Sequence, residues 1–466
     1  MSLNENKMGV MPVGKLLFTM ALPLALSMMV QALYNIVDSV FVSQISDTNN
    51  DALTAVGLAF PVQNIMIGIA SGIATGVGAL LSRALGEKDF KQVNTIAMNG
   101  IFLTFLGMIL TALFGIFFAE PFMRSQTNDA AVVEYGVTYI RIITIISFAI
   151  FGEVLLERLL QATGRTSYTL YTQGTGAVLN IILDPIFIFG WGPIPRMEVA
   201  GAAVATIIGQ IVAFAMAVYF NLRKNKEVSF NFRGFKPNKH AIGRILGIGI
   251  PSVIMVAIGS LMYSCMNIVL KQFDTVRDGL GKIGSTVFGA YYKLQSFIFM
   301  PIFGISNAVL AISSYNYGAR KPKRILKTMR YGCYASTVIM GIGFVLFMFV
   351  PEMLLGFFNP SDEMLDVGVP AMRILSTPFL SAGICIIMGS VFQALDKSVY
   401  SMLNSICRQL LALIPAAYLL SLLGDINLVW LSYPIAEVVA LTMTVIMMIS
   451  VYRKKIKPLY NSSCNS

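Results

Sequence analysis

Charged residues are scarce in this chain: Asp, Glu, Lys and Arg make up only 12% of its 466 residues, where a soluble domain holds about 25%. An ordinary water-soluble globule is thereby excluded. Histidine is nearly missing: His240 stands alone in a basic loop, which removes imidazole-based metal chemistry. Cysteine is also sparse. Cys265, Cys333, Cys385, Cys407 and Cys464 never fall in CxxC spacing and mostly sit in apolar runs, so neither a zinc site nor a disulfide framework is indicated. No nucleophile beside a base and no set of metal ligands is visible, so the chain does not read as an enzyme. The start lacks the pattern of a removable signal peptide, because Met1 to Lys15 is polar and the first apolar run is long enough to span.

What is abundant is apolar length. The chain is 56% hydrophobic with a mean hydropathy of +0.73. About 20 apolar residues cross a bilayer core, and twelve such runs can be placed: 16–43, 53–82, 95–118, 135–162, 168–190, 200–221, 243–270, 285–314, 329–350, 368–394, 400–423 and 428–451. The fold class is therefore all-α integral membrane, with twelve transmembrane helices. The formal net charge of +11 is a matter of topology, not nucleic acid, because the basic residues crowd into a few loops and the aromatics interleave the apolar runs. Basic clusters follow run two (Arg83, Lys88, Lys91), run six (Arg223, Lys224, Lys226, Arg233, Lys236, Lys239), run eight (Arg320, Lys321, Lys323, Arg324, Lys327) and run twelve (Arg453, Lys454, Lys455, Lys457). Loops 44–52, 351–367 and 424–427 carry none. The positive-inside rule then puts both termini in the cytoplasm of a cell whose plasma membrane the chain spans.

The chain is one half used twice. Gln161-Ala162 recurs as Gln393-Ala394, and 393 − 161 = 232. The same offset relates Arg141-Ile142 to Arg373-Ile374, Gly72-Ile73 to Gly304-Ile305, Gly86 to Gly318, Gly100 to Gly332 and Tyr168 to Tyr400. An even number of helices per half keeps both copies in one orientation, so the repeats are parallel, a plan found among transporters. The expected organisation is a six-helix lobe over 1–221, a linker over 222–242, a second lobe over 243–453 and a tail over 454–466. The last six residues, Asn461 to Ser466, are expected to be disordered.

Ionisable groups inside a membrane are functional candidates by default. Run one carries Ser27, Gln31, Tyr34, Asn35 and Asp38 at helical spacing, and run five carries Gln173, Gly176, Asn180 and Asp184. At 1.5 Å rise per residue, both aspartates lie ~8–9 Å from the outer ends of their helices. Two acids at equal depth, with Asn35 and Asn180 one turn inward, suit an oxygen-rich cage for Na⁺ or one shared proton, or a structural pair joining two helices. Pro185 lacks an N–H and weakens run five beside the cage. At the same offset Asp184 falls on Ala416, and run seven has no acid, so the expected cation site is in the first half only. In the second half Lys293 and Glu437 lie at similar depth and are expected to pair structurally; Arg408 either faces a cavity or closes a pair. Run four holds Glu153, Glu157 and Gln161 on one stripe beside Arg158, a structural network or inner gate. Run eight is rich in aromatics and is broken at Pro301 and Gly304.

Several stretches resemble the multidrug and toxic compound extrusion (MATE) transporters. They are run one with Pro23, Gln31, Tyr34, Asn35 and Asp38; Glu157 to Arg165; Asn180 to Pro185; Gly201 to Thr206; Tyr315 to Arg320; and Arg408-Gln409. The resemblance covers essentially the whole chain. It implies two six-helix lobes forming a V, alternating access, and export of amphipathic, often cationic compounds driven by Na⁺ or H⁺. It also implies a first-lobe cation site of the DinF type at Asp38, Asn180 and Asp184, with Asn35 and a run-six hydroxyl, Thr206, beside it. The second-lobe acids of NorM-type sodium pumps have no counterpart in runs seven or ten. The expected substrate cavity is lined by runs one, two, seven and eight, with Gln31, Tyr34, Gln63, Met262, Tyr292, Gln295 and Arg408 as candidates. No cofactor is implied; the partners are small amphipathic substrates and lipid, and the chain reads as a monomer. A lipid-linked oligosaccharide flippase of the same superfamily is the alternative, disfavoured because only Lys293 and Arg408 lie deep in the second half and no further two helices exist.

Overall fold

The computed structural model describes residues 6–45, 51–231, 235–358 and 360–463. Arg233 of the linker, part of loop 44–52 and the last three residues of the tail lie outside the described residues. The spans are α1 (Val13–Ser43), α2 (Asp51–Gly86), α3 (Phe90–Phe117), α4 (Ala130–Ile145 and Phe148–Ala162), α5 (Ser167–Phe189) and α6 (Glu198–Lys224). There follow α7 (Lys239–Lys271), α8 (Leu280–Gly318), α9 (Pro322–Phe349) and α10 (Asp362–Ser376 and Phe379–Ala394). The last two are α11, from Ser398–Ile406 through a π-helical segment Cys407–Leu413 to Ile414–Ser421, and α12 (Ser432–Val451). Among the described residues ten helices are long and apolar enough to cross a membrane singly, and α4 and α10 meet the same measure as pairs bent by 46° and 47°. Each of the twelve runs read from the sequence has its helix. Among the described residues the only β-type pairing is an isolated bridge, Trp191 to Ile194.

The duplication is written into the backbone. Helix ends match at the same spacing: Gly86 and Gly318, Phe90 and Pro322, Phe117 and Phe349, Ala162 and Ala394 each differ by 232. Left-handed residues match too: Lys88 (φ 58°) with Arg320 (φ 53°), Gly164 (φ 85°) with Asp396 (φ 59°), and Gly192 (φ 62°) with Gly424 (φ 78°). The bends in α4 and α10 share a place but not a cause. In α10 the break falls at Thr377-Pro378, where the ring removes a donor. In α4 the Thr144 hydroxyl donates to the Ile140 carbonyl at 2.6 Å, competing with the helix ladder just before the break.

Apolar stripes also repeat. Leu106, Leu110, Leu113 and Phe117 of α3 are exposed, and so are Val338, Ile342, Val345 and Phe349 of α9, again 232 residues on. A soluble monomer does not leave such a face uncovered; in a bilayer it meets lipid.

Two compact units result. One comprises Met1–Val10 and Leu22–Val253, the other Met11–Ala21 and Ile254–Ser466. The expected linker 222–242 falls within the first of these units. The chain changes unit inside two helices, next to Pro23 of α1 and Pro251 of α7. The first half of α7 is part of the first unit, where Gly249 meets Gly72 of α2: a Cβ on Gly72 would lie 2.8 Å from the Gly249 carbonyl oxygen. Small residues let membrane helices approach this closely.

Candidate functional site

In the first unit, α5 and α6 pack tightly because Gly176 faces Gly209; a Cβ on Gly209 would sit 2.7 Å from the Gly176 carbonyl oxygen. That approach brings Asn180 against Thr206. The Asn180 Nδ2 donates to Asp184 Oδ1 at 3.1 Å and to Thr206 Oγ1 at 3.3 Å. Turning the amide over would aim its oxygen at the carboxylate, so this orientation is the physical one. Asn180, Asp184 and Thr206 are all buried. Asp38 of α1 lies within electrostatic reach of Asp184.

The notable feature is what these groups leave open. Asp38 Oδ1, Asp184 Oδ2 and Asn180 Oδ1 are buried oxygens with no hydrogen-bond donor. Each such acceptor costs about 1–3 kcal/mol if it stays empty. Two of the three are carboxylate oxygens, a chemistry suited to a hard cation or a proton. Asp38, Asp184, Asn180 and Thr206 are the residues that would hold such a cation, Na⁺ included.

Asn35 does not join the set. Its side chain is exposed and makes no hydrogen bond to either aspartate. Three residues along a helix leave a rotation of about 60° from the starting face, enough to turn Asn35 outward while Asp38 faces in. Tyr139 of α4, which sequence reasoning missed, sits here instead. It is buried, its hydroxyl donates to Gln63 Oε1 at 3.5 Å, and it lies near Asp38, Tyr34 and Asp184. Nothing in the sequence around Tyr139 marks it, since a tyrosine in an apolar run usually only packs. Gln31 and Tyr34 of α1 are half-buried beside it.

Glu157, on the far half of α4, is tied to α5: it accepts from the Thr172 hydroxyl and from Gln173 Nε2, the latter at 2.8 Å. Glu153 is buried one turn away, and Arg158 packs its stem against Gly78 of α2. This is a network joining three helices of one unit.

In the second unit the expected Lys293–Glu437 pair does not form. Glu437 is paired with Arg408, Nη1 to Oε2 at 3.5 Å, and Lys293 is exposed. Matched depth says nothing about rotation about the helix axis, and Arg408 lies in the π-helical segment, whose wider turn shifts the register. Tyr292 packs edge-on against Tyr263 and Phe288, and the Tyr433 hydroxyl donates to Met262 Sδ at 3.6 Å. Gln295 is half-buried on the same helix as Tyr292. Removing one partner of a buried pair strands a charge, at about 3–5 kcal/mol. Arg408→Met is thus expected to lower the melting temperature in detergent markedly, and Arg408→Met with Glu437→Leu to restore it; equal melting of all three would remove the pair from the stability account.

A family profile described as MatE matches residues 23–186 and, again, residues 251–419. The chain is 24% identical over 433 residues to an FAD transporter of Shewanella oneidensis, covering 91% of this chain and 92% of that protein. It is 23% identical over 426 residues to the multidrug export protein MepA of Staphylococcus haemolyticus, covering 91% of each. With the probable multidrug resistance protein YoeA of Bacillus subtilis it shares 24% over 396 residues, 84% of each chain. An outward-facing multidrug resistance MATE family transporter of the MOP superfamily superposes with a TM-score of 0.89 at 23% identity, over 99% of this chain and 100% of that one. A MOP superfamily transporter from Pyrococcus furiosus gives the same score at 23% identity, over 97% and 100%. At that identity the likeness is one of fold.

Proposed function

The chain belongs to the MatE family of membrane transporters, and from that premise we propose that it is a multidrug antiporter, exporting amphipathic and cationic small molecules in exchange for Na⁺ or H⁺ by alternating access. It is a transporter, not an enzyme, and a multi-pass membrane protein. Relatives named for multidrug export span nearly its whole length. On this reading it works as a monomer in the plasma membrane with both termini cytoplasmic.

The observation that carries the coupling is the trio of unpartnered buried oxygens on Asp38, Asn180 and Asp184. A cation bound there links α1 to α5 and α6 and so favours one arrangement of those helices. Drug binding that favours the other arrangement then opposes the cation, and this opposition is the exchange. Gln31, Tyr34, Gln63, Met262, Tyr292, Gln295 and Arg408 are the proposed lining of the substrate path. The flippase alternative gains nothing from Lys293, which is exposed, or from Arg408, which Glu437 occupies.

The test is purified protein in liposomes carrying a pH gradient or a Na⁺ gradient. Ethidium should discharge one of the two gradients at least fivefold faster than the leak. Ethidium movement that ignores both gradients would reject coupling, and lipid-linked sugar movement without any drug movement would favour the flippase.

A further inference from the structure

The second unit holds a cavity of about 440 Å³ between the last turns of α7 and the first turns of α8, with Tyr263, Asn267, Lys271, Lys282 and Ser285 on its wall. This is large enough for a small ligand, such sites running from about 300 to 1,000 Å³. Its charge is lopsided. Lys271 and Lys282 both line it and neither has an ion-pair partner among the described residues, against one carboxylate, Asp274. That carboxylate is partly used, because its Oδ1 accepts from the Gly281 backbone N–H at 2.8 Å. Nearby Arg277 and Glu363 neutralise each other at 2.5 Å. The Ser285 hydroxyl oxygen is buried and has no hydrogen-bond partner.

The floor is aromatic in a directed way. Trp430, Phe288 and Tyr263 form a run of near-parallel rings, Trp430 to Phe288 at 6.3 Å and 26° and Phe288 to Tyr263 at 5.1 Å and 19°. Trp430 and Phe288 are fully buried, while Tyr263 is partly exposed. Tyr263, which lines the cavity, is the partly exposed end of the stack, and Tyr292 meets its ring at 4.9 Å and 71°.

We propose that this cavity binds a planar aromatic molecule carrying a phosphate group. The ring stacks at the open end of the Tyr263 column. The phosphate takes charge-assisted hydrogen bonds from the Lys271 and Lys282 ammonium groups. The site needs neither Asp38 nor Asp184, so it stands or falls apart from the coupling reading.

Three probes separate the contributions: 4-methylumbelliferyl phosphate has ring and phosphate, 4-methylumbelliferone only the ring, and glycerol 2-phosphate only the phosphate, as in a lipid headgroup. Calorimetric titration of the full chain in neutral detergent should show the first binding at least tenfold tighter than either other. Lys271→Gln with Lys282→Gln should erase its advantage over 4-methylumbelliferone. Tyr263→Ala should erase its advantage over glycerol 2-phosphate. The lysine variants should keep the wild-type melting temperature and ethidium export. Glycerol 2-phosphate binding as tightly as the aromatic phosphate would overturn the proposal in favour of a headgroup site. No saturable binding, or variants that bind like wild type, would overturn it outright.

Discussion

Replacing Asp184 with asparagine is expected to reduce drug export to background, a loss of at least a hundredfold, while leaving a folded, inserted protein. The substitution is nearly isosteric. Its carbonyl oxygen still accepts from Asn180 Nδ2, so the contact at 3.1 Å survives. What goes is the charge on an array whose remaining oxygens have no donor. If the pair of aspartates only joins helices, removing one charge relieves a desolvated group and harms nothing; buried ionic groups are often replaceable without loss of stability. Melting in detergent and ethidium efflux from cells divide the two cases. Unchanged or raised melting with no efflux supports an ion site, whereas full efflux sinks it. Asp38→Asn should behave alike.

The second large effect comes from a hydrogen atom. Gly209→Leu is expected to abolish export with most of the protein still in the membrane. A side chain there begins 2.7 Å from the Gly176 carbonyl oxygen and 3.6 Å from Asn180 Cβ. Backbone cannot yield as a flexible side chain can, so α5 and α6 must separate. Overpacking of this sort costs about 1–3 kcal/mol, which most folded proteins survive. The contact from Asn180 to Thr206, already 3.3 Å, does not. Gly174 on α5 has nothing within 4 Å of a built Cβ, so Gly174→Ala is the control and should export normally. Normal efflux from Gly209→Leu would mean that the alignment of α5 and α6 is irrelevant to transport.

Much of this was legible beforehand, for identifiable reasons. Twelve spans could be counted because hydropathy over 20 residues is a collective signal that single substitutions hardly disturb. Asn180 and Asp184 could be paired because four residues make nearly one turn of a helix, a local relation. Thr206 needed the docking of α6, and only the motif it sits in brought it forward. Asn35 and the Lys293–Glu437 pair went astray on one ground: sequence gives depth along a helix well and rotation around it poorly. The π-helical segment at Arg408 compounds this, since one wide turn resets every later face. Tyr139 left no trace because its role depends on Gln63 and Asp38, which lie far away in sequence.

The division of α7 bears on how the molecule is made. Residues up to Val253 belong to the first unit, and Gly249 is seated against Gly72. A ribosome that has delivered the first six spans has not yet supplied that seat. The first unit therefore waits for a piece of the second repeat before its packing is complete, and the face of α2 that holds Gly72 stays open to lipid during synthesis. A gene cut at the linker 222–242 yields two fragments of which neither carries a whole unit, so co-expressed halves should assemble less well than the uninterrupted chain.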